Sequence, residues 1–302
     1  MSPAVYSRCR GSAGGEKTMG NNVRMAQYVL GIEGVALLRH WLIGDEKIVE
    51  ERLREICGIC ERLDELPFSE VLEVPEMSVG EAYANWSKTY DTVANPLIDV
   101  EEPHVRSVID EIEPGKALDA ACGTGRHACY LRERGHMVVG VDGSPQMLDI
   151  ARARVAGADF RVGDLSDLPL EDESVDLAVC SLALTHLPEL VPAMRELARV
   201  VRAGGRIVLS DIHPMFVALG AQALFRTADG RFGFARNYYH PHCTYLESFE
   251  AAGLRLRRCL EPLLTEAQAA MIDSNSQIPA GARGAALVGL PGVLIWELER
   301  PG

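Results

Sequence analysis

One stretch of eleven residues, 117–127, constrains the fold of this chain more than any other. It consists of a short apolar run, an acid at Asp119, a turn with glycines at Gly123 and Gly125, and the start of a helix. Glycine has no Cβ and tolerates positive φ, so such a turn lets a ligand approach the backbone closely. The following helix points unsatisfied N–H groups at that ligand. The stretch therefore predicts a strand–turn–helix unit that binds a small molecule.

The next strands along the chain also end in acids. Residues 137–142 are apolar and β-branched and end at Asp142, and residues 160–164 end at Asp164. Such runs are typical of strands buried in a parallel sheet. An acid at the tip of the second strand can take both ribose hydroxyls of an adenosine. The glycine motif by itself leaves the cofactor class open, because residues 123–128 also fit the dinucleotide pattern Gly-x-Gly-x-x-Gly/Ala.

Four motifs follow one another along the chain, at residues 119–125, 141–147, 163–165 and 200–205. Together they resemble those of the class I S-adenosylmethionine-dependent methyltransferases, in the small-molecule branch that includes the ubiquinone and menaquinone methylases and actinobacterial natural-product enzymes. The resemblance covers roughly residues 80–260, and Ala121 and Ala203 depart from it by standing where glycine and proline are common.

The resemblance implies an α/β fold, with a doubly wound sheet of seven strands. Most strands are expected to be parallel, with the last, Val293–Glu299, antiparallel. It also implies S-adenosylmethionine as cofactor, with Asp142 on the ribose, Asp164 on the adenine amino group and Met147 against the adenine face. The candidate cofactor-binding residues are Trp86, Tyr90, Asp119, Gly123, Gly125, Asp142, Gly143, Met147, Asp164, Leu165 and Ser181.

Methyl transfer is an in-line displacement, so the enzyme mainly positions the acceptor and excludes water. A base is needed only where the acceptor loses a proton. In the family the segment after the fourth strand, here residues 181–186, lies beside the transferring methyl group. The candidate catalytic residues are His186, His213 at the end of the fifth strand, and Tyr239. A histidine hydrogen-bonded at a helix start is an equally good interpretation of His186.

Residues 214–242 form an insertion after the fifth strand and hold a large share of the chain's phenylalanines and tyrosines. In the family this region commonly covers the substrate, so an aromatic or apolar acceptor is indicated. An ordinary lid hairpin with its own small core remains the alternative.

Three regions are expected along the chain. Residues 1–20 are small and polar and should be disordered, residues 21–77 should form a helical extension, and residues 78–302 should form the methyltransferase domain. The predicted helix Met25–Ile43 is apolar around much of its circumference, so it should be buried on several sides. We expect this extension to roof the pocket and to join subunits of a homo-oligomer.

Composition excludes several partners. The net charge of −13 offers no basic stripe for nucleic acid, and the apolar runs fall far short of the ~20 residues that span a membrane. Eight scattered cysteines indicate a reducing cytoplasm.

No metal is expected, because Cys57-x-x-Cys60 has no second pair and is better interpreted as buried helical cysteines. The histidines of residues 240–242, with His213 upstream, fit a substrate pocket or a surface loop better than a metal site.

The sequence thus predicts a small-molecule methyltransferase acting on an aromatic or apolar, natural-product-like acceptor. Methylation of the indole carbon of a tryptophan-derived diketopiperazine is a narrower alternative. An NAD-dependent oxidoreductase and a non-catalytic cofactor-binding protein are the alternatives from other classes.

Overall fold

The computed structural model describes residues 21–227, 229–272 and 278–302, so the predicted disorder of residues 1–20 lies outside the described part. The strands are β1 (Asn21–Arg24), β2 (Val71–Val74), β3 (Glu76–Met77), β4 (Lys116–Ala120), β5 (Met137–Asp142), β6 (Asp159–Val162), β7 (Val175–Ser181), β8 (Val201–Ile212), β9 (Ala223–Arg226), β10 (Phe232–Ala235), β11 (Arg255–Leu260) and β12 (Val293–Glu299). The helices are α1 (Met25–His40), α2 (Glu46–Cys60), α3 (Val79–Trp86), α4 (Pro96–Ile109), α5 (Arg126–Glu133), α6 (Pro145–Arg154), α7 (Val191–Val200), α8 (Pro214–Ala218), α9 (His242–Ala251), α10 (Glu266–Met271) and α11 (Ala280–Leu287). A short 3₁₀ turn spans Leu184–His186.

A sheet of seven strands lies at the centre, in the order β11-β12-β8-β7-β4-β5-β6. Strand β12 is antiparallel to both its neighbours, and the other strands run parallel to one another. The chain winds outward from β4 in one direction through β5 and β6, and in the other through β7 and β8. This confirms the predicted doubly wound sheet and its antiparallel last strand. Ligands bind such sheets at the carboxyl ends of the strands, where the winding reverses.

Strand β7 shows why the sheet is covered on both faces. Its side chains alternate between the faces, so Leu177 and Val179 join one buried cluster while Ala178 and Cys180 join the other. Helices α4, α5 and α6 cover the first face, and α7 and α9 cover the second. No helix of the described residues is long and apolar enough to cross a membrane.

The extension contains the two predicted helices and, in addition, strands. Strand β1 pairs antiparallel with β2, so the extension is not purely helical as expected. Helix α1 packs against α2 and α11, and the Arg39 guanidinium donates to the carbonyl oxygens of Ala285 and Ala286 near the end of α11. One face of α1 is therefore covered by its own subunit.

Two expectations about these helices are wrong. Helix α1 ends at His40 rather than Ile43, and the apolar residues around this end are exposed to solvent instead of buried, with Ile43 96% exposed and Trp41 70% exposed. The cysteines Cys57 and Cys60 are also exposed rather than buried in α2. In both cases no other part of the described chain packs over these side chains enough to bury them.

The insertion at residues 214–242 folds as a small lid. Strands β9 and β10 pair antiparallel, and β10 adds parallel to β3 of the extension. Phe225 is buried in a cluster with Ala82 and Ala235, and its ring stacks on Trp86 at 5.7 Å between centroids. The arrangement agrees with the lid hairpin that has its own small core. Part of the aromatic content of the insertion thus serves this core.

Candidate functional site

The predicted glycine turn lies at the carboxyl ends of β4 and β5. Gly123 and Gly125 adopt φ of 52° and 80°. Ala121 adopts φ of 55°, which is energetically unfavourable for a residue that has a Cβ. The Asp119 carboxylate accepts a 2.7 Å hydrogen bond from the backbone N–H of Ala128 in the first turn of α5. Burial raises the pKa of Asp119 to about 6. Asp119 thus fixes the turn against the helix that follows it.

Asp142, at the tip of β5, holds the same turn from the other side. Its two carboxylate oxygens accept 2.8 Å hydrogen bonds from the N–H groups of Gly123 and Ser144. Burial raises its pKa, and the two N–H donors act in the opposite direction. Because each oxygen has a further lone pair, the carboxylate retains acceptor capacity for a ligand.

The aromatic segment, residues 83–91, lies against this edge. The rings of Trp86 and Tyr90 meet edge to face at 5.1 Å between centroids. Asp91 accepts hydrogen bonds from Thr124 Oγ1 at 3.0 Å and from the guanidinium of Arg154 in α6 at 2.5 Å. The segment is thereby held onto the glycine turn.

A buried ionic network beneath the turn was not predicted from the sequence. Glu101, on α4, is fully buried and accepts from Arg126 at 2.7 Å, His127 at 3.0 Å and Ser210 at 2.7 Å. Burial raises the pKa of Glu101, but the neighbouring His127 and Arg126 lower it more, so that it lies well below its usual range. The network fixes the start of α5 and therefore the orientation of the turn.

The segment after β7 is held by a second carboxylate that the sequence analysis did not assign to the site. Asp211 at the end of β8 accepts from the N–H and hydroxyl of Thr185 at 2.7 and 2.9 Å, and from the Tyr245 hydroxyl at 3.2 Å. Burial raises the pKa of Asp211 to about 7. Leu182 adopts φ of 54°, and the buried Ser181 Oγ has no hydrogen-bond partner among the described residues. This sharp, fixed turn positions His186.

His186 is held through both ring nitrogens. Nδ1 lies 2.9 Å from the carbonyl oxygen of Arg236, and Nε2 lies 2.8 Å from the Tyr83 hydroxyl. A carbonyl can only accept, so Nδ1 carries the proton and Nε2 of the neutral ring accepts from Tyr83. Burial lowers the pKa of His186, which favours this neutral form. The histidine thus has two features of a base, a fixed tautomer and an Nε2 lone pair that already accepts a hydrogen bond from a hydroxyl group.

Tyr83 lies in the electrostatic field of the two carboxylates at the sheet edge. Burial raises its pKa well above 10, and the negative charges of Asp142 and Asp211 raise it further. Its hydroxyl therefore stays protonated and donates to His186. Trp86 and Tyr90, but not Tyr83, were candidates from the sequence, because spacing along the chain cannot show a contact over 103 residues.

His213 and Tyr239 are the other two catalytic candidates. His213 Nδ1 accepts from Met215 N–H at 3.2 Å as the N-cap of α8, and its Nε2 lies 2.9 Å from Glu261 Oε1. Tyr239 is 55% exposed. It lies between Tyr238, whose N–H donates to the Thr185 carbonyl oxygen at 2.6 Å, and His240, whose Nε2 lies 2.8 Å from the Leu187 carbonyl oxygen.

The remaining cofactor candidates surround the glycine turn. Met147 is fully buried in the first turn of α6, and Gly143 lies between Asp142 and that helix. Leu165 is half-buried against the core. Asp164 is exposed and accepts from the N–H and hydroxyl of Ser166 at 2.7 and 2.5 Å.

A family model described as "Methyltransferase domain" matches residues 118–209, from β4 into β8. The demethylmenaquinone methyltransferase of Deinococcus radiodurans is 33% identical over 176 residues, which is 55% of this chain and 68% of that protein. The malonyl-[acyl-carrier protein] O-methyltransferase of Serratia marcescens is 36% identical over 140 residues, 46% of this chain and 54% of that protein. The chain thus spans about half the length of the Serratia relative.

The fold is also found among solved structures. A structure described as an S-adenosylmethionine-dependent methyltransferase from Mesorhizobium loti superposes with a TM-score of 0.52 at 24% identity, covering 67% of this chain and 98% of that one. At this identity the likeness supports the architecture of the domain and leaves the acceptor open.

Proposed function

Because this chain belongs to the family of S-adenosylmethionine-dependent methyltransferases, we propose that it transfers a methyl group to a small aromatic or apolar, natural-product-like acceptor. The observation that carries the proposal is the hydrogen-bonded pair of Tyr83 and His186, which lies at the sheet edge that the family uses for its cofactor. The division into an extension at 21–77 and a methyltransferase domain at 78–302 is part of the same proposal.

The residues of the glycine turn fit that cofactor. A Cβ built on Gly123 would meet nothing within 4 Å, so the space above the turn is open. Asp142 has acceptor capacity for ribose hydroxyls, and the unpartnered hydroxyl of Ser181 can bond a polar group of a ligand. Bound S-adenosylmethionine supplies an electrophilic methyl group on its sulfonium. The roles of Asp164, Leu165 and Met147 at the adenine, and of Trp86 and Tyr90 at the methionine end, are proposed with it.

The Tyr83–His186 pair supplies a route for a proton. An acceptor that loses a proton during transfer gives it to the Tyr83 hydroxyl oxygen while Tyr83 passes its own proton to His186 Nε2. The neutral histidine gains one proton in total, and its Nδ1–H bond to Arg236 keeps the ring in place. Acceptors that lose no proton use the pair for positioning alone.

Turnover with a panel of acceptors tests the proposal. Phenols, indoles including a tryptophan-derived diketopiperazine, and a malonyl thioester are incubated with S-adenosylmethionine, and gain of one methyl group is followed by mass spectrometry. We expect His186→Gln to lower kcat by ~10²–10⁴-fold with cofactor affinity intact, and Tyr83→Phe to lower it less. His104→Gln is the matched control, since this histidine bonds Val100 within α4.

Two outcomes would contradict the proposal. Methylation of the malonyl thioester and of no other compound in the panel would contradict the proposal that the acceptor is aromatic or apolar. Full activity in both His186→Gln and Tyr83→Phe would contradict proton transfer through this pair. Positioning of the acceptor by other groups would then account for the activity.

We further propose that the extension joins subunits of a homo-oligomer. Support comes from the apolar residues around the end of α1, which the described residues leave exposed. They are Leu38, Trp41, Leu42 and Ile43, at 73, 70, 73 and 96% exposure. Exposed apolar groups of this size are typical of protein interfaces. A cytoplasmic location is proposed on the cysteines, which are free at all seven described positions.

A further inference from the structure

Three potential metal ligands from distant parts of the chain meet beside the lid. His213 Nε2 and His242 Nε2 each lie 2.9 Å from the same oxygen of Glu261, and the three ligand atoms lie within 4.8 Å of one another. His213 follows β8, His242 begins α9, and Glu261 follows β11. His213 is 9% exposed at its side chain, whereas His242 and Glu261 are 40% and 46% exposed, so solvent reaches the cluster from one side.

Two imidazole nitrogens and one carboxylate oxygen form a set that binds divalent first-row transition metals. The same set holds zinc in sites that keep a further position for water. We propose that His213, His242 and Glu261 bind one divalent transition-metal ion, represented by Zn²⁺, with water completing the coordination. This proposal departs from the expectation of no metal, which rested on the spacing of Cys57 and Cys60.

The local hydrogen bonds set a cost for this site. A neutral His213 that binds metal through Nε2 carries its proton on Nδ1, where it now accepts from the N–H of Met215 at 3.2 Å. Metal binding therefore gives up one long capping bond of the five-residue helix α8. In exchange, the negative charge of Glu261, whose Oε1 now lies beside both histidines, is placed beside a dication.

The place of the cluster suggests a structural role rather than a role in methyl transfer. His213 and His242 lie at the two ends of the insertion, and Glu261 ties both to the central sheet through β11. A metal held by all three would fix the base of the lid. The site is separate from the Tyr83–His186 pair, so its test is independent of the proposed function.

Zinc titration of the full-length protein tests the site. The exposed Cys57 and Cys60, one turn apart on α2, could bind zinc through thiolates, so the titration uses a Cys57→Ser/Cys60→Ser background. After removal of metal with a chelator, we expect isothermal titration with ZnCl₂ to show one ion per chain and the Tm to rise with zinc. The variants His242→Gln and Glu261→Gln should each weaken binding at least ~10-fold.

These two variants keep the hydrogen bonds of the cluster, because glutamine can donate in place of His242 and accept in place of Glu261. Their Tm without zinc should therefore stay close to that of the parent, which separates loss of a ligand from loss of fold. His104→Gln should bind zinc as the parent does. Absence of saturable zinc binding in the Cys57→Ser/Cys60→Ser background, or equal affinity in the parent and both variants, would overturn the site.

Discussion

The glycine-turn edge is residues 117–145, and the extension is residues 21–77. The two regions differ in how completely one chain supplies hydrogen-bond partners for their polar groups and cover for their apolar side chains. At the edge, Asp119 and Asp142 each accept hydrogen bonds from backbone groups of the turn itself. In the extension, the apolar end of α1 is exposed, and its polar core holds a buried carboxylate, Glu33, beside the single cation Arg52 among its described contacts. Local sequence therefore specifies the first region, whereas the second depends on contacts over long separations and, in the proposed homo-oligomer, on a partner subunit.

The largest expected effect is on assembly. Removing residues 1–66 deletes α1 and α2 and uncovers α11, so solubility, assembly and turnover should be lost together, whereas removing residues 1–20 should change none of them. A milder variant, Trp41→Ser/Ile43→Ser, should convert the proposed oligomer to monomer with cofactor affinity unchanged. Sedimentation and cofactor titration check both. A soluble, fully active monomer from the longer truncation would show that the two regions are independent.

A smaller effect concerns the pH dependence of the extension. The pKa of Glu33 is raised to about 8, chiefly by burial and next by a hydrogen bond with Glu55, while the charge of Arg52 acts against both. Since the folded-state pKa is above the unfolded value of 4.5, the stability linked to this proton is full below 4.5 and is lost as pH rises through about 8. The extension should therefore be cleaved by protease more readily at about pH 9 than at about pH 6.

Glu33→Gln should remove most of this pH dependence, because glutamine stays neutral at both values. Glu46→Gln, on the exposed first turn of α2, is the matched control and should behave as the parent. Cleavage rates are normalised to an unstructured peptide at each pH. Equal pH dependence in the parent and Glu33→Gln would show that Glu33 does not set it.

The comparison also explains which parts could be predicted from sequence. The turn at 121–125 and the strands β4 and β5 were predicted because their residue types act through near neighbours in the chain. The pairing of β1 with β2 joins residues about 50 positions apart, and no local pattern marks it. The end of α1 was misplaced because Trp41–Ile43 continue its apolar pattern although the helix stops at His40.

The site shows the same division. Asp119, Asp142 and the glycines follow from motif and spacing, and the structure places them together. Tyr83 with His186, and Glu101 with Ser210, are contacts over 103 and 109 residues that only the fold reveals. His213 was chosen because it ends a strand at the ligand-binding edge, yet its ring turns to α8 and Glu261.

Cofactor binding tests the central claim most directly, through titration with S-adenosylhomocysteine and, separately, with NAD. We expect S-adenosylhomocysteine to stabilise the protein by about 2.7 kcal/mol at a hundredfold excess over Kd, and NAD to give no stabilisation. Asp142→Ala should weaken S-adenosylhomocysteine binding at least ~10-fold, since the two proposed charge-assisted ribose bonds and the bonds to Gly123 and Ser144 are lost. Stabilisation by NAD alone, or unchanged S-adenosylhomocysteine affinity in Asp142→Ala, would contradict the account.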